Sequence, residues 1–139
     1  MKKAFLLSLL VASLCVSCTA TTNLKGDLSV SRDDLLRKQI IGKWAEGISP
    51  YGISAFHEEG IYEAWGYESP NKRNLIVSAK GKWWIENGYL YNIVHEIDPA
   101  VPGLKTNEVI IDKIVDISEN TMLLIDKGGT QYSKNKVIE

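Results

Sequence analysis

A chain of 139 residues, 45% hydrophobic and 24% charged, is sized for one domain around one core and has the composition of a globular protein. Its formal charge of −1 excludes the basic stripe that a nucleic-acid-binding surface needs. The balance is also too neutral and too apolar for a disordered chain.

The first element is a leader. "MKKAFLLSLLVASLCVSC" sets Lys2 and Lys3 before an apolar run from Ala4 to Val16, followed by small residues. This is the pattern of a secretory signal peptide, too short and wrongly flanked for a membrane-spanning helix. Its removal takes Lys2 and Lys3 from the chain and moves the formal charge from −1 to −3. The ending Ser17-Cys18 resembles the lipobox of bacterial lipoproteins, in which a small residue precedes a Cys that is lipidated and becomes the first residue of the mature chain. The resemblance implies a signal peptide over 1–17 and acylation of Cys18, with palmitate as a representative chain. With Thr19 rather than Asp next, it also implies an outer-membrane anchor facing the periplasm of a Gram-negative envelope. The other reading of the same residues is ordinary cleavage after Ala20, at Cys18-Thr19-Ala20. Cys15 and Cys18 both lie in or at the leader, so the remaining domain has no disulfide, thiol nucleophile or thiolate metal site.

Residues 18–30 are small and polar, without sustained periodicity, and read as a flexible tether. The domain proper spans 31–139. Ser31 is an N-cap for a short helix from Arg32 to Gln39, with Asp33 and Asp34 in its first turn and Arg37 and Lys38 in its last, as the helix dipole favours. Everything after Ile40 reads as strands, dense in Val, Ile, Tyr and Trp with recurrent turn residues. The segments are Ile41–Glu46, Gly52–His57, Ile61–Tyr67, Asn74–Glu86, Tyr89–Ile97, Glu108–Ser118, Thr121–Asp126 and Thr130–Ser133. Gly81 interrupts the longest of them and marks a bend or bulge. Eight short strands in series predict an all-β, antiparallel up-and-down meander, and closure into a small barrel removes its exposed edges.

The connections alternate. "HEEG", "NG" and "SEN" are tight, whereas "GISPY", "ESPNKRN" and "DPAVPGLKT" are long and contain Pro or several polar residues. Alternate connections of a meander lie at opposite ends, so this pattern predicts a cup with a closed base and a mouth rimmed by loops. Ligands favour such mouths.

With the strands placed, the chain resembles the small bacterial lipocalin-like lipoproteins. The matching residues are Gly42 and Trp44; Phe56, Gly60 and Tyr62; Gly81, Trp83 and Ile85; and Tyr132. The resemblance runs from about Ile40 to Ser133 and implies an eight-stranded barrel behind a short helix. It implies structural roles for Gly42, Trp44, Gly60 and Gly81, with the Trp44 ring packed across the closed end. Family members bind small apolar molecules or have no known ligand.

The stretch "GKWWIENGYLYNI" leaves two registers open. A two-residue Asn87-Gly88 turn pairs Glu86 with Tyr89; it sets Trp83, Ile85, Leu90 and Val94 on one face and Trp84, Tyr89 and Tyr91 on the other, a packed core. A three-residue turn pairs Ile85 with Tyr89 and gathers Trp83, Tyr89, Tyr91, Ile93 and His95 inside, where the phenols need water or a ligand as partners.

Catalytic chemistry is sparse. His57 in "HEEG" lacks a second histidine one helical turn away, and no serine stands in Gly-x-Ser-x-Gly. No phosphate loop, metal set or cofactor motif is present, so the reading is a non-enzyme. Two functions remain. One is a binding module for a small apolar or amphipathic ligand, with Trp83, Tyr91 and Ile93 lining the cavity and Lys72, Arg73 and Lys105 forming a cationic rim. The other is a filled barrel that binds an envelope protein through the exposed rings of Trp65, Tyr67, Trp84 and Tyr89.

Overall fold

The structure, a computed structural model, describes residues 30–46, 51–69, 71, 72 and 74–138. The leader, Cys18, nearly all of the tether and Arg73 lie outside the described residues.

Among the described residues, one helix precedes eight strands. The helix α1 (Arg32–Ile40) starts where Ser31 Oγ accepts the Asp34 amide at 3.1 Å, and its acidic first turn and basic last turn complement the dipole. The strands are β1 (Gly42–Glu46), β2 (Tyr51–Phe56), β3 (Ile61–Tyr67), β4 (Leu75–Glu86), β5 (Tyr89–Asp98), β6 (Val109–Ile117), β7 (Thr121–Ile125) and β8 (Gln131–Lys136). Each pairs with its neighbour in sequence, and β1 pairs with β8, so the sheet is a closed antiparallel barrel. Closure leaves no edge strand open for pairing with another chain.

The last strand runs three residues beyond the segment that composition marks, to Lys136. "KNK" has the composition of a solvated tail, but Lys134 and Lys136 pair with Glu46 and Trp44 of β1 and close the barrel.

The Asn87-Gly88 turn settles the register. Both residues have positive φ (53° and 78°), the signature of a two-residue type I′ turn, and Glu86 pairs with Tyr89. Trp83, Ile85, Leu90 and Val94 therefore face inward, while Trp84, Tyr89, Tyr91 and Ile93 face outward. A bulge follows: Lys80 pairs with Glu96 but Gly81 with Val94, which leaves His95 extra on β5. Gly81 permits this close passage, because a Cβ there would lie 1.9 Å from the Ile93 carbonyl oxygen. His95, which the three-residue turn would have placed inside, is the exposed bulge residue, its Nδ1 2.9 Å from Asn107 Oδ1.

The β2–β3, β4–β5 and β6–β7 turns lie at one end; the longer β5–β6 connection lies at the other, together with the tight β7–β8 turn at Asp126–Thr130. The helix closes the end that holds the β4–β5 turn. Asp33 accepts from the backbone N–H groups of Asn87 and Gly88 at 2.7 and 2.9 Å, and Arg37 donates to the Ile85 carbonyl at 3.1 Å. Leu36 and Ile40 drop their side chains onto Trp44, Phe56, Trp83, Ile85, Leu90, Ile114, Ile117, Met122 and Leu124. Each such side chain, fully buried, is worth about 1.5–3 kcal/mol. Trp44 is wholly buried there; its indole N–H donates to the Ile40 carbonyl at 2.7 Å, and the Lys136 ammonium sits 4.9 Å from its ring centroid.

Candidate functional site

The dry core fills only the closed half of the barrel. Above it, at the loop end, lies a cavity of about 490 Å³, within the range of small-molecule sites. The inward positions of the mouth-side half-strands form its wall: Ala64, Val77, Ala79, Val94, Ile97 and Ile110. Gly52 and Gly66, directly paired across β2 and β3, keep one side of the wall thin. The β5–β6 connection contributes Gly103, Leu104, Lys105 and Glu108 at the rim.

Between the cavity and the dry core is a polar layer. Glu46, Ser54 and Tyr62 reach the cavity itself. Lys134, only 6% exposed, donates to Glu46 Oε1 and, at 3.0 Å, to Ser54 Oγ; the Ser54 and Tyr62 hydroxyls lie 3.4 Å apart. Asp112 is also buried, beside Tyr132. Burial pushes the Asp112 carboxyl above its usual range; the Tyr132 hydrogen bond and the Lys134 ammonium pull the other way, and Asp126 and Glu46 add to the rise. Tyr132 is held well above the usual phenol range, first by burial and then by the charge and hydrogen bond of Asp112, so it stays a donor. Asn92, 6% exposed, turns inward between Leu90 and Val94, and its Oδ1 has no hydrogen-bond partner.

Trp83, read from sequence as a lining residue, belongs to the closed-end core. Its ring meets Phe56 edge-on at 5.6 Å and its N–H donates to the His57 carbonyl at 3.0 Å. Position along β4 decides this, because the strand runs from the mouth to the Asn87-Gly88 turn and Trp83 comes near its end. Tyr91 and Ile93 are corrected by the register: they lie on the outer face and do not line the interior. Tyr91 stacks there on Trp84, with ring centroids 5.1 Å apart and planes 6° apart.

The cationic rim divides. Lys105 lines the mouth cavity, whereas Lys72 lines a separate outer cleft with Trp65, Tyr67 and Ile138, and Arg73 lies outside the described residues. The structural glycines occupy special backbone. Gly42 and Gly60 have φ of 122° and 77°, and the Trp83 backbone N–H donates to the Gly60 carbonyl at 2.8 Å.

Sequence reasoning passed over the polar layer. Glu46, Ser54, Asn92, Asp112 and Lys134 sit in strands where either face could be the wet one. A signal was available for two of them: Asn92 alternates with Leu90 and Val94, and Asp112 with Ile110 and Ile114, so each is a polar residue inside an apolar stripe.

No protein-family model matches the chain, and no curated protein does. Among solved structures, the fold is similar to that of a lipocalin-like protein from Bacteroides uniformis ATCC 8492, at 15% identity and a TM-score of 0.50, covering 71% of this chain and 99% of that one. At that identity the likeness is one of fold.

Proposed function

We propose that this lipocalin-like barrel is a non-enzymatic binding protein that holds a small apolar or amphipathic molecule in its mouth. The cavity of about 490 Å³, walled by aliphatic side chains and open at the loop end, carries the reading. Water gains little from contact with such walls, and an apolar ligand that displaces it buries its own surface at about 25 cal/mol per Å². The leader adds the setting: a lipoprotein anchored through Cys18 to the outer membrane and facing the periplasm. Native mass spectrometry of the full chain isolated from its own envelope, followed by extraction, tests the binding reading. A reproducible small molecule that leaves on unfolding supports it; an apo mass, together with no uptake from a panel of lipids, counts against it.

A second reading rests on the outer face. The stacked Trp84–Tyr91 pair, with the exposed side chains of Tyr89, Val109 and Ile111 around it, is an aromatic patch of the kind that anchors protein partners. An envelope protein captured by the wild-type chain and lost with Trp84→Ala supports this reading; an unchanged partner set removes it.

A further inference from the structure

The cavity has a firm floor. Tyr62, one of its lining residues, lies against Phe56 with ring centroids 5.4 Å apart, and Phe56 meets Trp83 edge-on. Trp83 is pinned at both ends, by its indole N–H to the His57 carbonyl and by its backbone N–H to the Gly60 carbonyl. Beside this aromatic column stand Glu46 and Ser54, with the Lys134 ammonium held against both. Beneath lie Trp44, Leu90, Ile114, Met122 and Leu124, none of them more than 2% exposed. A ligand can go no deeper without parting a buried ion pair or a close-packed core.

That floor makes the cavity shallow. Strand β3 measures its depth, with Tyr62 at the floor and Gly66 toward the loops. At about 3.4 Å per residue this stretch is about 14 Å long, and a barrel-strand tilt of roughly 40° leaves about 10 Å along the axis. An extended chain advances about 1.2 Å per bond, so about eight to eleven bonds reach from floor to mouth. The cavity is wide for that depth. Spread over about 10 Å, its volume of about 490 Å³ corresponds to a bore of about 8 Å. The small side chains of Ala64 and Ala79 and the Gly52–Gly66 pair supply the width. Carbon atoms pack at about 4 Å, so one straight chain is about half as wide as the bore and leaves part of the wall without contacts.

Resting on the ligand-binding reading above, we propose that the cavity selects a short, wide apolar molecule, a fused-ring or branched skeleton, over a straight-chain lipid. A compact skeleton touches the wall on all sides and stays under the rim. A long chain spends its first carbons on the depth and leaves the rest in water.

Uncharged alcohols separate shape from apolar content. Affinities of the full chain for 1-alkanols from hexanol to tetradecanol, and for the ten-carbon ring alcohols 2-decalol and 1-adamantanol, are measured by titration calorimetry below each solubility limit. Among the straight chains, affinity should rise about fourfold per methylene while each new one is buried, then level off near about ten carbons. Of the ten-carbon alcohols, 2-decalol should bind about tenfold more tightly than 1-decanol, although it is the more compact and has less apolar surface to remove from water; a rigid skeleton that fills the bore loses less freedom on binding. Ala79→Leu and Ala64→Val narrow the bore and should each weaken 2-decalol more than 1-decanol. Affinity that climbs without a break to tetradecanol, or 1-decanol binding as tightly as both ring alcohols, overturns this inference alone and leaves the cavity a site for chains. Equal weakening of ring and chain by both variants also overturns it. Binding of none of these alcohols overturns the ligand-binding reading and this inference together.

Discussion

Lys134 on the last strand donates to the carboxylate of Glu46 on the first, and the two residues are direct cross-strand partners in the seam that closes the barrel. The pair is lopsided: the Lys134 side chain is 8% exposed and that of Glu46 39%.

That asymmetry orders two substitutions. Glu46→Ala leaves an ammonium buried with Ser54 as its remaining acceptor among these contacts, and should cost about 2–3 kcal/mol. Lys134→Met leaves a carboxylate that water can reach and fills the space of the removed stem, and should cost less than about 1.5 kcal/mol. Urea denaturation measures both, and the reverse order would show that packing of the lysine stem, not its charge, holds the seam.

Asp112 should make stability depend on pH. Its folded-state pKa is raised by burial, so within the window above the ordinary carboxyl range the folded chain keeps a proton that the unfolded chain has lost. Stability from this group falls as pH rises through the window and stays low above it. Asp112→Asn keeps an acceptor for Tyr132 and removes the charge. The variant should melt higher than wild type at pH 7, by on the order of a few degrees, and the gap should close as pH falls toward roughly 4. Thermal melts across that range decide it; a gap that does not vary with pH would mean that the carboxyl contributes nothing through its ionisation.

Gly81→Ala should be among the most damaging single methyl additions. The new Cβ would collide with the Ile93 carbonyl, a backbone atom held in the β4–β5 pairing, so the strands must part or the bulge at His95 must move. A loss of about 3 kcal/mol or more is expected, with altered amide exchange along β4 and β5. A near-neutral result would show that the two strands can shift together at this point.

Cys18→Ser tests the anchor. Wild-type cells fed labelled palmitate should carry the label on this chain and retain it in the membrane fraction, while the variant should lose the label and appear in the soluble periplasmic fraction. Labelling unchanged by the substitution, or a mature chain that begins at Thr21, would replace lipidation with ordinary cleavage after Ala20.

The fold was legible because its signals are local. Strand composition, the Asn87-Gly88 turn and the alternation of tight and long connections each follow from a few adjacent residues, and together they leave little besides a closed meander. The site was less legible because it depends on register and depth. Trp83 and Tyr91 are eight residues apart, yet the turn sends one into the core and the other to the outer face. Depth along the axis then assigns Trp83 to the base and leaves the mouth to small residues such as Ala64 and Ala79, which carry no chemical signal of their own. Lys134 was hidden for another reason: an ammonium is placed inside only where a partner from a distant strand awaits it, and Glu46 is 88 residues away.

The contact of Asp33 with the Asn87-Gly88 turn has a consequence for how the molecule stands. The chain enters at the base, α1 is fastened across the underside, and β1 starts directly after it. The domain is thus a bowl that its chain enters from beneath. The described chain therefore joins the barrel at the end opposite the cavity, and the helix that seals the base leaves the mouth clear.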